Sequence, residues 1–176
     1  MSYDGNESSA EYPALRISVS TDAPFDVLRR RLEALVPAFE PERVRAAVAR
    51  GAGWEELRRE AERDAPHGLC RFRTEDPGWL MRPAGSDTAS VTYLIGSLTL
   101  QARIFRLCPA AMIHVPLRLE LHADRRGRAV VGFEQPGAPL AAFGINKVTQ
   151  AGRELDRMLG DLLEGLELPR PGALRR

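Results

Sequence analysis

His114-Val115-Pro116-Leu117-Arg118-Leu119-Glu120-Leu121-His122 decides how this chain is read. Val115, Leu117, Leu119 and Leu121 fall on one side of an extended backbone. His114, Pro116, Arg118, Glu120 and His122 fall on the other. A period of two predicts a β-strand over 114–122 with one face buried. Asp124 to Gly127 is a charged turn, and Val130 to Gln135 supplies a return strand, so the pair predicts a hairpin. Pro136, Gly137 and Pro139 end it. From Leu140 to Leu166 the period changes. Phe143, Val148, Ala151, Leu155, Met158, Leu159, Leu162 and Leu166 recur at helical spacing, which predicts a long C-terminal helix that Gly144 and Gly152 could bend. Its apolar stripe should close over the inward side chains of residues 115–121.

Working back towards the N-terminus, Leu15, Ile17 and Val19 alternate with Arg16, Ser18 and Ser20, a second one-faced strand. Asp22 before Pro24 reads as a helix start, and Phe25, Leu28, Leu32 and Leu35 form the stripe that follows. Pro41 opens a short helix carrying Val44, Ala47 and Val48. Trp54, Leu57 and Ala61 mark another, whose Arg and Glu residues make a solvated face. Leu69–Arg73 and Trp79–Arg82 flank Asp76-Pro77-Gly78 and predict a hairpin. Val91, Tyr93 and Ile95 share one strand face. Ser97 is placed to cap a helix running through Arg106.

Adjacent strands with helices grouped around them predict an α+β fold: a curved antiparallel sheet with helices packed on one face. Residues 13–168 form the expected single domain. Residues 1–12 are a polar, acidic stretch expected to be disordered, and residues 169–176 a basic tail.

Composition excludes several function classes. A formal net charge of +1 creates no global field to attract nucleic acid or an anionic membrane. Lys147 is the only lysine, so the basic residues are almost all arginine. Trp54 and Trp79 are not interleaved with a basic stripe, which argues against nucleic-acid binding. No apolar run is long enough to span a membrane, and Met1 to Glu11 is unlike a signal peptide, so a cytoplasmic protein is expected. Cys70 and Cys108 are too few for a disulfide framework, and His67, His114 and His122 are too dispersed for a metal site. There is no phosphate-binding glycine loop and no Gly-x-Ser-x-Gly elbow. Neither a metal nor an organic cofactor is expected.

An ordered string of short motifs runs from Gly68 to Leu166. It comprises Gly68-Leu69, Tyr93-Leu94-Ile95-Gly96, Pro109 leading to Val115-Pro116-Leu117-Arg118-Leu119, Gly127, Phe133-Glu134-Gln135-Pro136, Phe143-Gly144 and Leu155-Asp156. In order and spacing this string resembles the bacterial family known as domain of unknown function 302. The resemblance implies a compact α+β fold with a curved antiparallel sheet against helices, and by analogy a homodimer. It implies no established reaction. Gly96-Ser97-Leu98 stands where many relatives have Gly-Asn-Pro, Leu107-Cys108-Pro109 where they tend to have His-Asp-Pro, and Met112-Ile113-His114 where they often have Gly-Leu-Tyr. Phe133-Glu134-Gln135-Pro136 replaces a Tyr-Asp-Gln-Pro pattern. No catalytic role is therefore carried over to Ser97, Leu107 or Cys108.

The polar residues that could serve a small-molecule pocket are His114, Arg118, Glu134, Gln135, Tyr93 and Cys108. A histidine beside a carboxylate can move a proton near neutral pH, which casts His114 as carrier and Glu134 as partner in a cofactor-independent isomerase, cyclase or lyase. Arg118 would clamp a carboxylate. Tyr93, Cys108 and Gln135 would line the site, and the ligand would be a small apolar or carboxylate-bearing molecule. The same strand face also suits plain cross-strand pairing or a dimer surface. The competing expectation is a non-catalytic dimeric binding or interaction domain.

Overall fold

In the computed structural model, which describes residues 3–63 and 65–175, alternation along the strands builds an open five-stranded sheet. The chain runs through β1 (Arg16–Pro24), α1 (Phe25–Leu35), α2 (Pro41–Ala49), α3 (Trp54–Glu62), β2 (Cys70–Glu75), α4 (Gly78–Met81), β3 (Ser90–Gly96) and α5 (Leu98–Leu107). A 3-10 turn (Pro109–His114) leads to β4 (Leu117–Ala123) and β5 (Arg128–Glu134). Then come α6 (Gly137–Ala141), α7 (Asn146–Gly165) and a last 3-10 turn (Gly172–Leu174). The strand order is β1-β5-β4-β3-β2, and every pairing between these strands is antiparallel. This is the α+β architecture that the periodicities predict.

One face of the sheet is sealed. Ile17 and Val19, Val131 and Phe133, Leu117, Leu119 and Leu121, and Val91, Tyr93 and Ile95 all point into one buried cluster. Leu28 and Leu32 of α1, Leu100 and Ile104 of α5, and Leu155, Leu159 and Leu162 of α7 close over them. The helical stripe thus forms the roof that its spacing predicts. Ser97 caps α5 by accepting from the Leu100 N–H. Cys70 is buried, its Sγ donating to Ala61 O at 3.4 Å, and Cys108 is half-buried. On the exposed side of α3, Arg58 pairs with Glu55 and Glu62 at 3.0 and 3.2 Å, as the charge run predicts.

Four local expectations are corrected. Trp79–Arg82 is not a strand: residues 78–81 form a helical turn, with Trp79 72% exposed. The free edge of β2 is already occupied near Arg71, which accepts from Phe39 N and donates to Pro37 O, both at 2.8 Å. The hairpin partner of β2 is β3. The central strand starts at Leu117, not His114. Residues 109–114 wind into the 3-10 turn, Pro116 follows a cis bond, and without an N–H it cannot join the ladder. The first helix starts at Phe25 because β1 continues through Asp22 to Pro24. The C-terminal helix is divided: α6 and α7 are separated at Gly144, whose φ of 67° ends the first piece.

Residues 3–14 have no regular secondary structure. At the other terminus Leu174 is buried in the core cluster, and Arg170 pairs with Asp161 and Glu164. Met1, Ser2 and Arg176, parts of the two expected tails, lie outside the described residues.

Candidate functional site

Among the described residues no long helix covers the opposite sheet face, where Arg16, Ser18, Arg118 and Glu134 are exposed, and its side chains follow from the same period of two. Strand register arranges them in cross-strand rows. In the first row Arg16 lies opposite Glu134, and continuing the β4–β5 register by one pair sets Arg118 on the other side of Glu134. In the second row Ser18, Gly132, Glu120 and Thr92 follow one another across four strands. In the third, Ser20, Val130, His122 and Ser90 do the same.

The first two rows floor a groove of about 850 Å³. Its rim is built by the turn before β4 and by the chain entering β1. Met112, Ile113 and Pro116 project from the turn side, Pro136 and Pro139 from the start of α6, and Tyr12 from the N-terminal segment. The His114 ring stands edge-on to Tyr12, with centroids 5.4 Å apart, and edge-on to Phe143 at 5.9 Å. Three rings from three separate segments therefore form one corner. The Tyr12 segment is tied to the sheet by a backbone bond from Gln135 N to Leu15 O at 2.9 Å.

Polar groups in the groove differ in how far they are already satisfied. Glu120 accepts from Thr92 Oγ1 at 2.6 Å and from the Ser90 hydroxyl, so its carboxylate is held in place. Arg16, Arg118 and Glu134 are exposed, and among the described residues none of them makes an ion pair or a side-chain hydrogen bond. Gly132 leaves the middle of the floor bare. A Cβ added there would meet nothing closer than 4.0 Å, so packing does not demand a glycine.

The groove therefore brings together four of the expected residues, His114, Arg118, Glu134 and Gln135. Gln135 is engaged elsewhere: its Nε2 donates to Asp156 Oδ2 at 2.9 Å and to Ala173 O at 3.2 Å. Asp156 also accepts from the Gly137 N–H at 3.0 Å, and burial raises its carboxyl above the ordinary value. This junction joins β5, α6, α7 and the C-terminal turn.

Tyr93 and Cys108 lie outside the groove. Tyr93 is on the sealed face, where its hydroxyl donates to Glu33 Oε1 at 2.8 Å. Burial, then the bond to Glu33, pushes the Tyr93 phenol well above its ordinary value. Burial would also raise Glu33, but hydrogen bonds from Tyr93 and Arg29 outweigh it and hold that carboxyl low. Arg29 continues the chain to Asp76 at 2.8 Å. Cys108 caps the end of α5 and packs against the core. Tyr12, Arg16, Met112 and Gly132 complete the groove without having been singled out by sequence reasoning. Arg16 was legible, because it occupies an outward position of the first strand. Tyr12 carries no periodic signal.

Among the described residues no three His, Cys, Asp or Glu side chains are grouped to hold a metal ion, and no helix is long and apolar enough to cross a membrane.

No family model matches this sequence, and no curated protein matches it. Among solved structures, the crystal structure of an uncharacterized conserved protein DUF302 from Bacillus stearothermophilus superposes with a TM-score of 0.56 at 14% identity, covering 87% of this chain and 97% of that one. The chain has a DUF302-like fold. At 87% coverage the likeness extends beyond residues 68–166, the stretch that carries the motif string. At this identity the DUF302 likeness is one of fold, and it brings no chemistry to the groove.

Proposed function

We propose that this domain binds a small organic molecule bearing a carboxylate or similar anion in the groove on the helix-free face of its sheet. One observation carries the reading: Arg16 and Arg118, both without an ion-pair partner, face a concave floor beside an apolar rim. Pockets that orient a ligand combine an apolar wall with a few placed polar groups, and a guanidinium matches a carboxylate bidentately. Binding rather than catalysis is the function that this geometry favours. A His114–Glu134 acid–base pair needs a hydrogen bond or a bridging group between them, and His114 is instead set between two aromatic rings. Calorimetric titration with a set of apolar carboxylates tests the proposal. Wild type should show saturable binding, and Arg118→Ala should weaken it about tenfold, a typical loss for one charge-assisted contact. Equal affinity in Arg118→Ala, or saturable binding of the corresponding alcohols alone, would contradict it.

A second reading is a homodimer formed through the same face. Ile113, 81% exposed at the rim, favours it, because a large apolar side chain in that position gains by being covered. Light scattering at high protein concentration distinguishes the two. A dimer dispersed by Ile113→Asp supports this second reading, and a monomer at every concentration removes it.

A further inference from the structure

We propose that the ligand is an apolar α-amino or α-hydroxy carboxylate, a refinement that rests on the groove being a ligand site. In the first cross-strand row Arg16, Glu134 and Arg118 alternate in sign. Neighbouring strands lie about 4.8 Å apart, so the two arginines straddle Glu134 across about 10 Å. A plain carboxylate drawn to either guanidinium also meets the Glu134 carboxylate, and like charges brought together select against such a ligand. A molecule with a donor on the carbon next to its carboxylate removes the conflict. Its carboxylate reaches an arginine, and its ammonium or hydroxyl group donates to Glu134.

The floor beside that row is shaped to receive such a head. Gly132 lies between Ser18 and Glu120 in the next row, about 7 Å further along the strands. Its φ is not in the left-handed region, and a side chain would fit there without a clash. Glycine weakens a strand interior, so its presence where a larger residue would pack is a cost that an open floor explains. The Glu120 carboxylate next to it is held in place by hydrogen bonds from Ser90 and Thr92, which fixes that side of the floor. On the opposite side of the charged row, Met112, Pro116 and Pro139 offer an apolar wall for the rest of the molecule.

The test uses the full chain and three molecules that share one hydrocarbon body: leucine, its α-hydroxy analogue, and isocaproate, which lacks the donor. Binding is read by calorimetry and by backbone amide shifts. Leucine or the hydroxy acid should bind about tenfold or more tightly than isocaproate, with shifts at Gly132 and Glu120. Glu134→Gln should reduce the advantage of leucine over isocaproate. Gly132→Leu should abolish binding of all three while leaving the melting temperature unchanged or raised, which separates a filled groove from a misfolded chain. Isocaproate binding as tightly as the other two would overturn the donor requirement and leave the carboxylate site standing. No shift in the groove with any of the three would overturn both.

Discussion

The two faces of one sheet are made by alternate residues of the same strands, yet they obey different rules. Leu117, Leu119 and Leu121 are sealed, and a large polar side chain on their face, Tyr93, has its hydroxyl bonded to Glu33. One residue away, Arg118 and Glu134 face an open groove without partners. A sealed face must satisfy every group it buries, because water cannot. An open face is free of that demand, so polar groups left unpaired there are available to something else. The comparison locates stability on one side of the sheet and the proposed binding site on the other.

The largest expected contrast comes from neighbours on β4. Leu119→Ala opens a cavity in the sealed face and should lower unfolding free energy by about 3 kcal/mol, whereas Arg118→Ala should change it by less than about 0.5 kcal/mol. Urea denaturation of both variants checks this, and similar losses would erase the distinction between the faces. Tyr93→Phe should come next. It removes a donor from a half-buried carboxylate and should cost about 1–2 kcal/mol, with no effect on ligand binding, since the hydroxyl lies on the sealed side.

A pH profile sharpens the comparison at the junction behind the groove. Burial raises the Asp156 carboxyl above its ordinary 3.8, so the folded chain holds that proton more tightly than the unfolded one. The contribution to stability is fully present below about 3.8 and is lost as pH climbs through the raised folded value. Relative to Asp156→Asn, wild type should therefore lose stability across that window. A difference between the two that stays constant with pH would show that Asp156 is not perturbed. The smallest effect is expected at the groove floor: Gly132→Ala should raise stability by about 0.5 kcal/mol while reducing ligand affinity, since it trades strand propensity against open space.

The sealed face was legible in the sequence because burial imposes a period. Leu117, Leu119 and Leu121 could only be one side of a strand, and Leu155, Leu159 and Leu162 only one side of a helix. Elements failed where local chemistry outweighed pattern. Trp79, Leu80 and Met81 read as strand residues, but their backbone turns helically, Leu80 N and Met81 N both donating to Pro77 O. Leu140 to Leu166 read as one helix because apolar spacing continues across Gly144, where the backbone turns. The open face was half legible. Arg118 followed from the alternation, His114 reaches the groove from the 3-10 turn before β4 instead, and the placement of Glu134 waited on the β4–β5 register. Tyr12 lies in a stretch with no period at all and reaches the groove from a segment that the Leu15–Gln135 bond ties to the sheet. Gly132 is silent in sequence, since its contribution is a missing side chain.

A crystal structure grown with the tightest-binding carboxylate tests the division of labour most directly. The account predicts ligand density over Gly132 with its carboxylate on Arg118, and the inner leucines unmoved. A structure in which a second copy covers Arg118 and Glu134 across an interface above about 1,000 Å², leaving no room for a ligand, would contradict it.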